Sequence, residues 1–188
     1  MALSSIPSND KAAISNPPIV SAAILDSFTA YFVLSLTLSI FAVAPLFYPG
    51  YMQTHTGFVP LWNVADLRVN LGNWPWLPHL ATSFDPLRGD GLCPYYLAAI
   101  LPLNPVAAIK VVVGLGWLLG NAGMFLWLKH WLGRPGALVA ALVYTYLPYQ
   151  LATVYVRGAW GEAFFWGMLP WTMFVAVEAV RRREEARR

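Results

Sequence analysis

Between Phe28 and Phe47 the chain runs for twenty residues without a charged side chain. Wound as an α-helix, such a run covers about 30 Å, the thickness of the hydrocarbon core of a bilayer. It is therefore read as a membrane span, and that reading restricts everything else. Backbone in hydrocarbon must satisfy its own N–H and C=O groups, so only helices and closed barrels cross. The chain as a whole agrees: 58% of its 188 residues are apolar and 11% are charged, less than half the charge of an ordinary soluble domain. The fold class expected is all-α, a polytopic membrane protein of about four spans with a large outer loop carrying short helices.

The remaining spans are read at about 106–128, 137–154 and 163–180. Lys110 stands near one end of the second. The stretch Lys129 to Gly136 holds two cations and a Pro-Gly pair, which mark a bend. Pro148 breaks the third span, and the fourth runs into an arginine-rich tail. Residues 49–104 contain Asp66, Arg68, Asp85, Arg88 and Asp90 among many Pro, Gly and Trp, and cannot lie bare in lipid. They form the outer loop, with a short helix expected over 61–71 and an apolar piece over 95–103 too short to span. Residues 1–27 are expected to be a disordered cytosolic segment, and 181–188 a basic cytosolic tail. Ala42-Val43-Ala44 resembles a signal-peptidase site, but Pro45 follows it at once, which favours an uncleaved anchor.

Lysine and arginine in short loops set orientation. Lys129, Arg134 and the terminal arginines fall on one side, against Arg68, Arg88 and Arg157 on the other. The first side is read as cytosolic, with both termini there. The net charge of +3 equals the excess of the last eight residues, five arginines against two glutamates. Without a basic stripe across a folded face, nucleic acid is not an expected partner. The single cysteine, Cys93, rules out an intrachain disulfide. His55, His79 and His130 lie on different sides in this topology and cannot share a metal.

Chemistry is expected where ionisable groups meet the outer boundary. Arg157 and Glu162 join spans three and four, and groups at that depth are costly unless paired or facing a polar cavity. Arg157 is a candidate to hold a phosphate, with Glu162 orienting it or binding a sugar hydroxyl; the alternative is an ion pair that clips two helices together. Asp85, Arg88 and Asp90 lie in a turn-prone segment where aspartates also serve to bond backbone amides. Asp66 and Arg68 point to different faces of a short helix, and a solvated helix surface is the better account of them, with Asp66 kept as a candidate. His55 directly follows the first span and is a candidate for proton transfer. No cofactor is indicated, although loop aspartates could hold a divalent cation. Gly116 and Gly120 stand at the spacing that lets membrane helices pack closely. Tyr144, Tyr146, Tyr149 and Tyr155 are read as groove-lining or interfacial.

Three stretches carry a resemblance to a known family. Tyr155-Val156-Arg157-Gly158-Ala159 followed by Gly161-Glu162 is similar to a Tyr-Val-Arg-Gly-Ala-x-Gly-Glu signature. Tyr146-Leu147-Pro148-Tyr149 resembles the Pro-Tyr before it, and Gly89-Asp90-Gly91 with Pro94-Tyr95-Tyr96-Leu97-Ala98 resembles a glycine-rich turn leading into Pro-x-x-Tyr-Tyr-Leu. These resemble the bacterial 6-pyruvoyl-tetrahydropterin synthase-related membrane proteins, YfhO-like members of the GT-C glycosyltransferase superfamily, over their N-terminal portion. The resemblance implies a bacterial inner-membrane protein that takes a sugar from a polyprenyl-phosphate carrier on the outer face, with Arg157, Glu162, Tyr155 and Arg88 binding the lipid phosphate or substrate and a loop aspartate or His55 acting in catalysis. Relatives place an aspartate after histidine in the first outer loop; here Thr56 follows His55, and Pro60 stands for a second histidine. Relatives also continue for many more helices. The alternative expectation is a non-catalytic or truncated subunit that docks on a longer membrane partner through the glycine-bearing helix.

Overall fold

A computed structural model describes residues 28–69 and 93–187. Its described elements are all helical: α1 (Phe28–Val43) continued by a 3-10 turn (Ala44–Phe47), α2 (Val59–Val69), α3 (Cys93–Ile100), α4 (Pro105–Thr145), α5 (Pro148–Ala152) with a π-helical turn (Thr153–Arg157), and α6 (Trp160–Glu185). Three stretches are long and apolar enough to cross a membrane: Phe28–Phe47, Pro105–Arg157 and Trp160–Glu185. The protein is a multi-pass membrane protein.

The middle stretch has 53 residues and would reach about 80 Å if straight. It folds back instead. Gly133 has φ 68° and ψ −179°, a conformation open to glycine and costly for other residues. The amide of Asn121 donates to the Thr145 hydroxyl at 2.9 Å, although 24 residues of straight helix would hold them about 36 Å apart. The α4 helix is therefore two antiparallel arms, 105–132 and 134–145. The Pro-Gly pair marks the bend only approximately: the reversal is at Gly133, and Pro135 belongs to the first turn of the second arm, where its missing N–H costs nothing. Downstream, helix stops at Thr145 and restarts at Pro148, the break that proline imposes.

Side-chain contacts give the directions. At one end Phe28 packs on Phe125 with ring centroids 5.9 Å apart and lies under the Lys129 ammonium at 4.8 Å. At the other, Val43 and Phe47 close on Gly114, so the first arm is antiparallel to α1. The α6 helix runs parallel to that arm, with Phe164 over Gly116 and Trp171 over Gly123. One end of the bundle thus holds the start of α1, the Gly133 hairpin and the arginines of α6. The opposite end holds loop 48–58, α2, α3 and the Arg157–Glu162 junction. Lys129 and Arg134 separate from Arg68 and Arg157, as the loop charges anticipate.

Small residues set the helix spacing. A Cβ at Gly120 would stand 3.0 Å from the Gly167 Cα, and one at Gly167 would run into the Gly116 carbonyl. The glycine stripe does provide close packing, and it does so inside the chain; Gly116, Gly120 and Gly123 are all buried, so they offer no face for a partner. Across the same region Ser35 donates to Asn121 at 2.7 Å, Asn121 to Thr145, and Ser39 lies 3.4 Å from Thr145. All four side chains are buried, and each hydroxyl or amide in hydrocarbon needs such a partner.

The membrane-facing surface is wide. Only 28% of the most apolar window of α1 and 17% of that of α6 is buried inside the chain, which leaves large apolar faces for lipid. The end cap is built differently. Val64 and Leu67 of α2 and Tyr95 and Ala98 of α3 join one core with Leu46 and Ile109. Arg68, placed by sequence on a solvated surface, instead donates to the carbonyls of Ala98, Leu101 and Leu103 at 3.3, 3.0 and 2.5 Å, capping the end of α3 with positive charge. Lys110 does the same for the turn after α1, bonding the Tyr48 and Gly50 carbonyls at 2.8 and 2.5 Å.

Candidate functional site

The junction between the π-helical turn and α6 is built around Gly158. Its φ of 70° lets the chain turn, and its N–H and that of Ala159 both bond the Thr153 carbonyl. Loop 48–58 is stitched to this turn by backbone hydrogen bonds from His55 N to Val156 O at 3.0 Å and from Thr56 N to Arg157 O at 3.1 Å. The Thr56 hydroxyl donates to the Gly158 carbonyl at 3.2 Å and lies 3.2 Å from the Thr54 hydroxyl. Thr56 is thus a clasp between two segments about a hundred residues apart in sequence.

Behind the clasp the wall is aromatic. Trp160 is fully buried and its indole donates to the Val154 carbonyl at 3.1 Å. Tyr51 meets Trp160 edge-on at 5.8 Å, stacks on Phe58 at 5.4 Å, and donates to the Gly57 carbonyl at 2.5 Å. Burial raises the Tyr51 phenol above its ordinary value, and its hydrogen bond with Thr54 offsets only part of that rise.

In front of the clasp stands the charged pair. Arg157 Nη1 lies 3.0 Å from Glu162 Oε2, with the two side chains 48% and 24% exposed. Tyr149 donates a hydrogen bond to Glu162 Oε1 and accepts one from Arg157 Nη1 at 3.4 Å. Trp166, one helical turn beyond Glu162, reaches the same carboxylate with its indole N–H at 3.5 Å and meets the Tyr149 ring edge-on at 5.9 Å. Glu162 is therefore held by three donors, and it fixes one nitrogen of the guanidinium. Arg157 Nε and Nη2 have no hydrogen-bond partner among the described residues.

No protein-family model, no curated protein and no solved structure matches this chain. The arrangement must be read from its own chemistry.

Of the residues singled out by sequence, Arg157 and Glu162 come together, and His55 is joined to their junction by its backbone, with its side chain exposed. Tyr155 points elsewhere: its hydroxyl donates to the Ala42 carbonyl at 2.5 Å, which ties the turn to α1. The other tyrosines do not line one groove. Tyr144 bonds the Trp166 carbonyl at 2.5 Å and Tyr146 the Leu38 carbonyl at 2.7 Å, so this run stitches helices together. Asp66 is partly buried on α2. Asp85, Arg88, Asp90 and His79 lie outside the described residues. Among the described residues no group of three His, Cys, Asp or Glu side chains could hold a metal ion.

The sequence names Tyr149 only as one of a groove-lining or interfacial run, not as the residue that bridges Arg157 and Glu162, and it does not single out Trp166. Trp166 was within reach, since it stands four residues after Glu162 and such pairs share a helix face. The Thr54–Thr56 clasp carries no local signal at all. Chemically, the cluster offers a guanidinium fork with uncommitted donors, braced from one side at the membrane boundary. That geometry suits a planar or tetrahedral oxyanion.

Proposed function

We propose that the protein is a four-crossing membrane module whose Arg157 receives the phosphate of a polyprenyl-phosphate-linked sugar at the non-cytosolic boundary, and that it serves glycosyl transfer there. The observation that carries the reading is the half-exposed guanidinium of Arg157, braced at Nη1 by Glu162 and Tyr149 with Nε and Nη2 uncommitted. A purely structural clip would spend the fork on its partner; here one nitrogen does the bracing and two remain for a ligand. Two crossings within the middle stretch, 105–132 and 134–157, the second continued through α5 and the π-helical turn, join those of α1 and α6, and the resemblance of the Tyr155–Glu162 segment to GT-C proteins supports the substrate class.

In the reaction proposed, an acceptor hydroxyl attacks the anomeric carbon, the bond from that carbon to the carrier phosphate oxygen breaks, and the phosphate departs on its lipid. Arg157 stabilises the charge gathering on that phosphate. The hydroxyl proton must go to a base, and Thr56 cannot take it, being a neutral hydroxyl engaged with Gly158. His55, one residue earlier, stands beside the same clasp with its imidazole exposed and is assigned that role.

The test is binding of a polyprenyl phosphate to the purified protein in detergent, with the parent polyprenol as the control lacking phosphate. Saturable binding of the phosphate alone, lost in Arg157→Ala, is expected. Equal binding of both lipids, or binding untouched by the substitution, overturns the assignment.

A further inference from the structure

The depth of the end cap follows from the first arm of α4. Its two lysines, Lys110 and Lys129, stand 19 positions apart with no charged residue between them, a helical rise of about 29 Å. That matches the ~30 Å of hydrocarbon in a bilayer, so Lys110 marks one boundary. From Lys110 back to Pro105 the arm rises about 8 Å more, roughly the depth of one headgroup layer. Both ends of α2 are tied near that layer. Phe58, just before its first residue, stacks on Tyr51, which meets Trp160, and Trp160 stands one turn before the Phe164 that covers Gly116. Toward its other end, Arg68 holds the carbonyls of Leu101 and Leu103, just ahead of Pro105. A helix fixed at both ends within so thin a layer runs along the boundary and does not cross it.

What this helix turns outward is apolar. Phe58, Trp62, Ala65 and Val69 recur at the spacing of one helix face and are all exposed, Phe58 and Trp62 by 65% and Val69 by 84%. The opposite face, with Pro60, Asn63, Val64 and Leu67, is buried. The α3 helix repeats the pattern: Tyr95 and Ala98 are buried, while Cys93, Leu97 and Ile100 are exposed. Asp66 and Arg68 are the only charged residues of the two helices, both are partly buried, and Arg68 is spent on the carbonyls. A helix with one face in water carries its charges on that face; here the charges are drawn in and the apolar side chains stand outside.

We propose that α2 and α3 are interfacial helices, whose outer stripes enter the boundary between headgroups and acyl chains of the leaflet at this end of the bundle. Depth selects lipid as the occupant, because the stripes lie level with Lys110. Continuity selects it again: Phe47 and Tyr48, exposed by 52% and 78%, carry the lipid-facing surface of α1 up to the cap. Trp62 supplies the amphipathic ring that anchors at this level, and a single apolar stripe enters the bilayer to the shallow depth of an interfacial helix. The cap thereby seats the Thr56–Gly158 clasp on the membrane, whatever Arg157 binds.

Spin-label accessibility in the full chain, reconstituted into phospholipid vesicles, tests this. Cys93 is the single cysteine and is exposed, so the unsubstituted chain reads α3 directly; Trp62→Cys and Val69→Cys, each with Cys93→Ser, read α2. Ile40→Cys on the outer face of α1 and Glu185→Cys at the end of α6 serve as lipid and water references in the same background. Molecular oxygen is expected to reach the labels at Cys93, Trp62 and Val69 more readily than a water-soluble nickel chelate does, as at Ile40 and in the reverse order to Glu185. The order found at Glu185, at any of the three positions, places the cap in water and overturns the proposal. Exclusion of both reagents shows the stripe covered by protein, a second copy included, and overturns it equally.

Discussion

The hydroxyl of Thr56 donates to the carbonyl of Gly158 at 3.2 Å, and a Cβ on Gly158 would lie 2.6 Å from that same hydroxyl oxygen. The clasp between the outer loop and the start of α6 therefore depends on one residue having no side chain and another having a β-hydroxyl. Gly158→Ala meets two penalties, a left-handed backbone and a collision with Thr54 and Thr56. It is expected to cost about 2–4 kcal/mol, read as unfolding free energy in mixed micelles. A loss below ~0.5 kcal/mol, the scale of ordinary surface substitutions, would show that the clasp is not closed in the membrane.

The Ser35–Asn121–Thr145 chain joins α1 to both arms of α4. Truncating its centre, Asn121→Ala, removes two interhelical hydrogen bonds and should destabilise the bundle by about 1–2 kcal/mol, the upper part of the range for such bonds in membranes. A double-mutant cycle with Thr145→Val measures the coupling. Strict additivity of the two substitutions would mean that the bond does not hold the fold-back together.

Tyr51 gives a pH signature outside the spans. Burial raises its phenol above the ordinary 10.0, so the folded state favours the neutral form. Its contribution to stability is fully present below pH 10 and is lost as pH rises through the higher folded value. The stability difference between the unsubstituted protein and Tyr51→Phe should therefore fall above pH 10 and stay level below it. A difference that is flat across this range would contradict the packing of Tyr51 against Trp160 and Phe58.

How much of this was legible in the sequence follows from the range of each signal. An uncharged run such as Phe28–Phe47 is local, and so is the proline that ends helix at Thr145; both are found where expected. The short helix expected over 61–71 is found at Val59–Val69, and the apolar piece read over 95–103 forms the helix Cys93–Ile100 and ends there. The charge pattern separates Lys129 and Arg134 from Arg68 and Arg157, because loop composition records which end a loop occupies. Glycine spacing foretold close packing, but its partner, Gly167, is visible only in three dimensions. The reversal at Gly133 was masked by the more conspicuous Pro-Gly pair beside it. Ser35, Asn121 and Thr145 are polar residues scattered through apolar helices, and nothing local says that they meet. For the candidate site, Arg157 and Glu162 announced themselves as charges at a boundary. The role of Thr56 did not, since a lone threonine is common and its partner lies 102 positions away.

The central claim is that Arg157 is a phosphate site and not only half of a helix clip. The most direct measurement exchanges the pair, Arg157→Glu with Glu162→Arg, and compares polyprenyl-phosphate binding with thermal stability in the same preparation. The swapped pair retains opposite charges, so stability is expected to stay near that of the unsubstituted protein, while binding is lost because the uncommitted fork has left its position. Stability retained together with full binding would contradict the account and leave Arg157 and Glu162 as a clip.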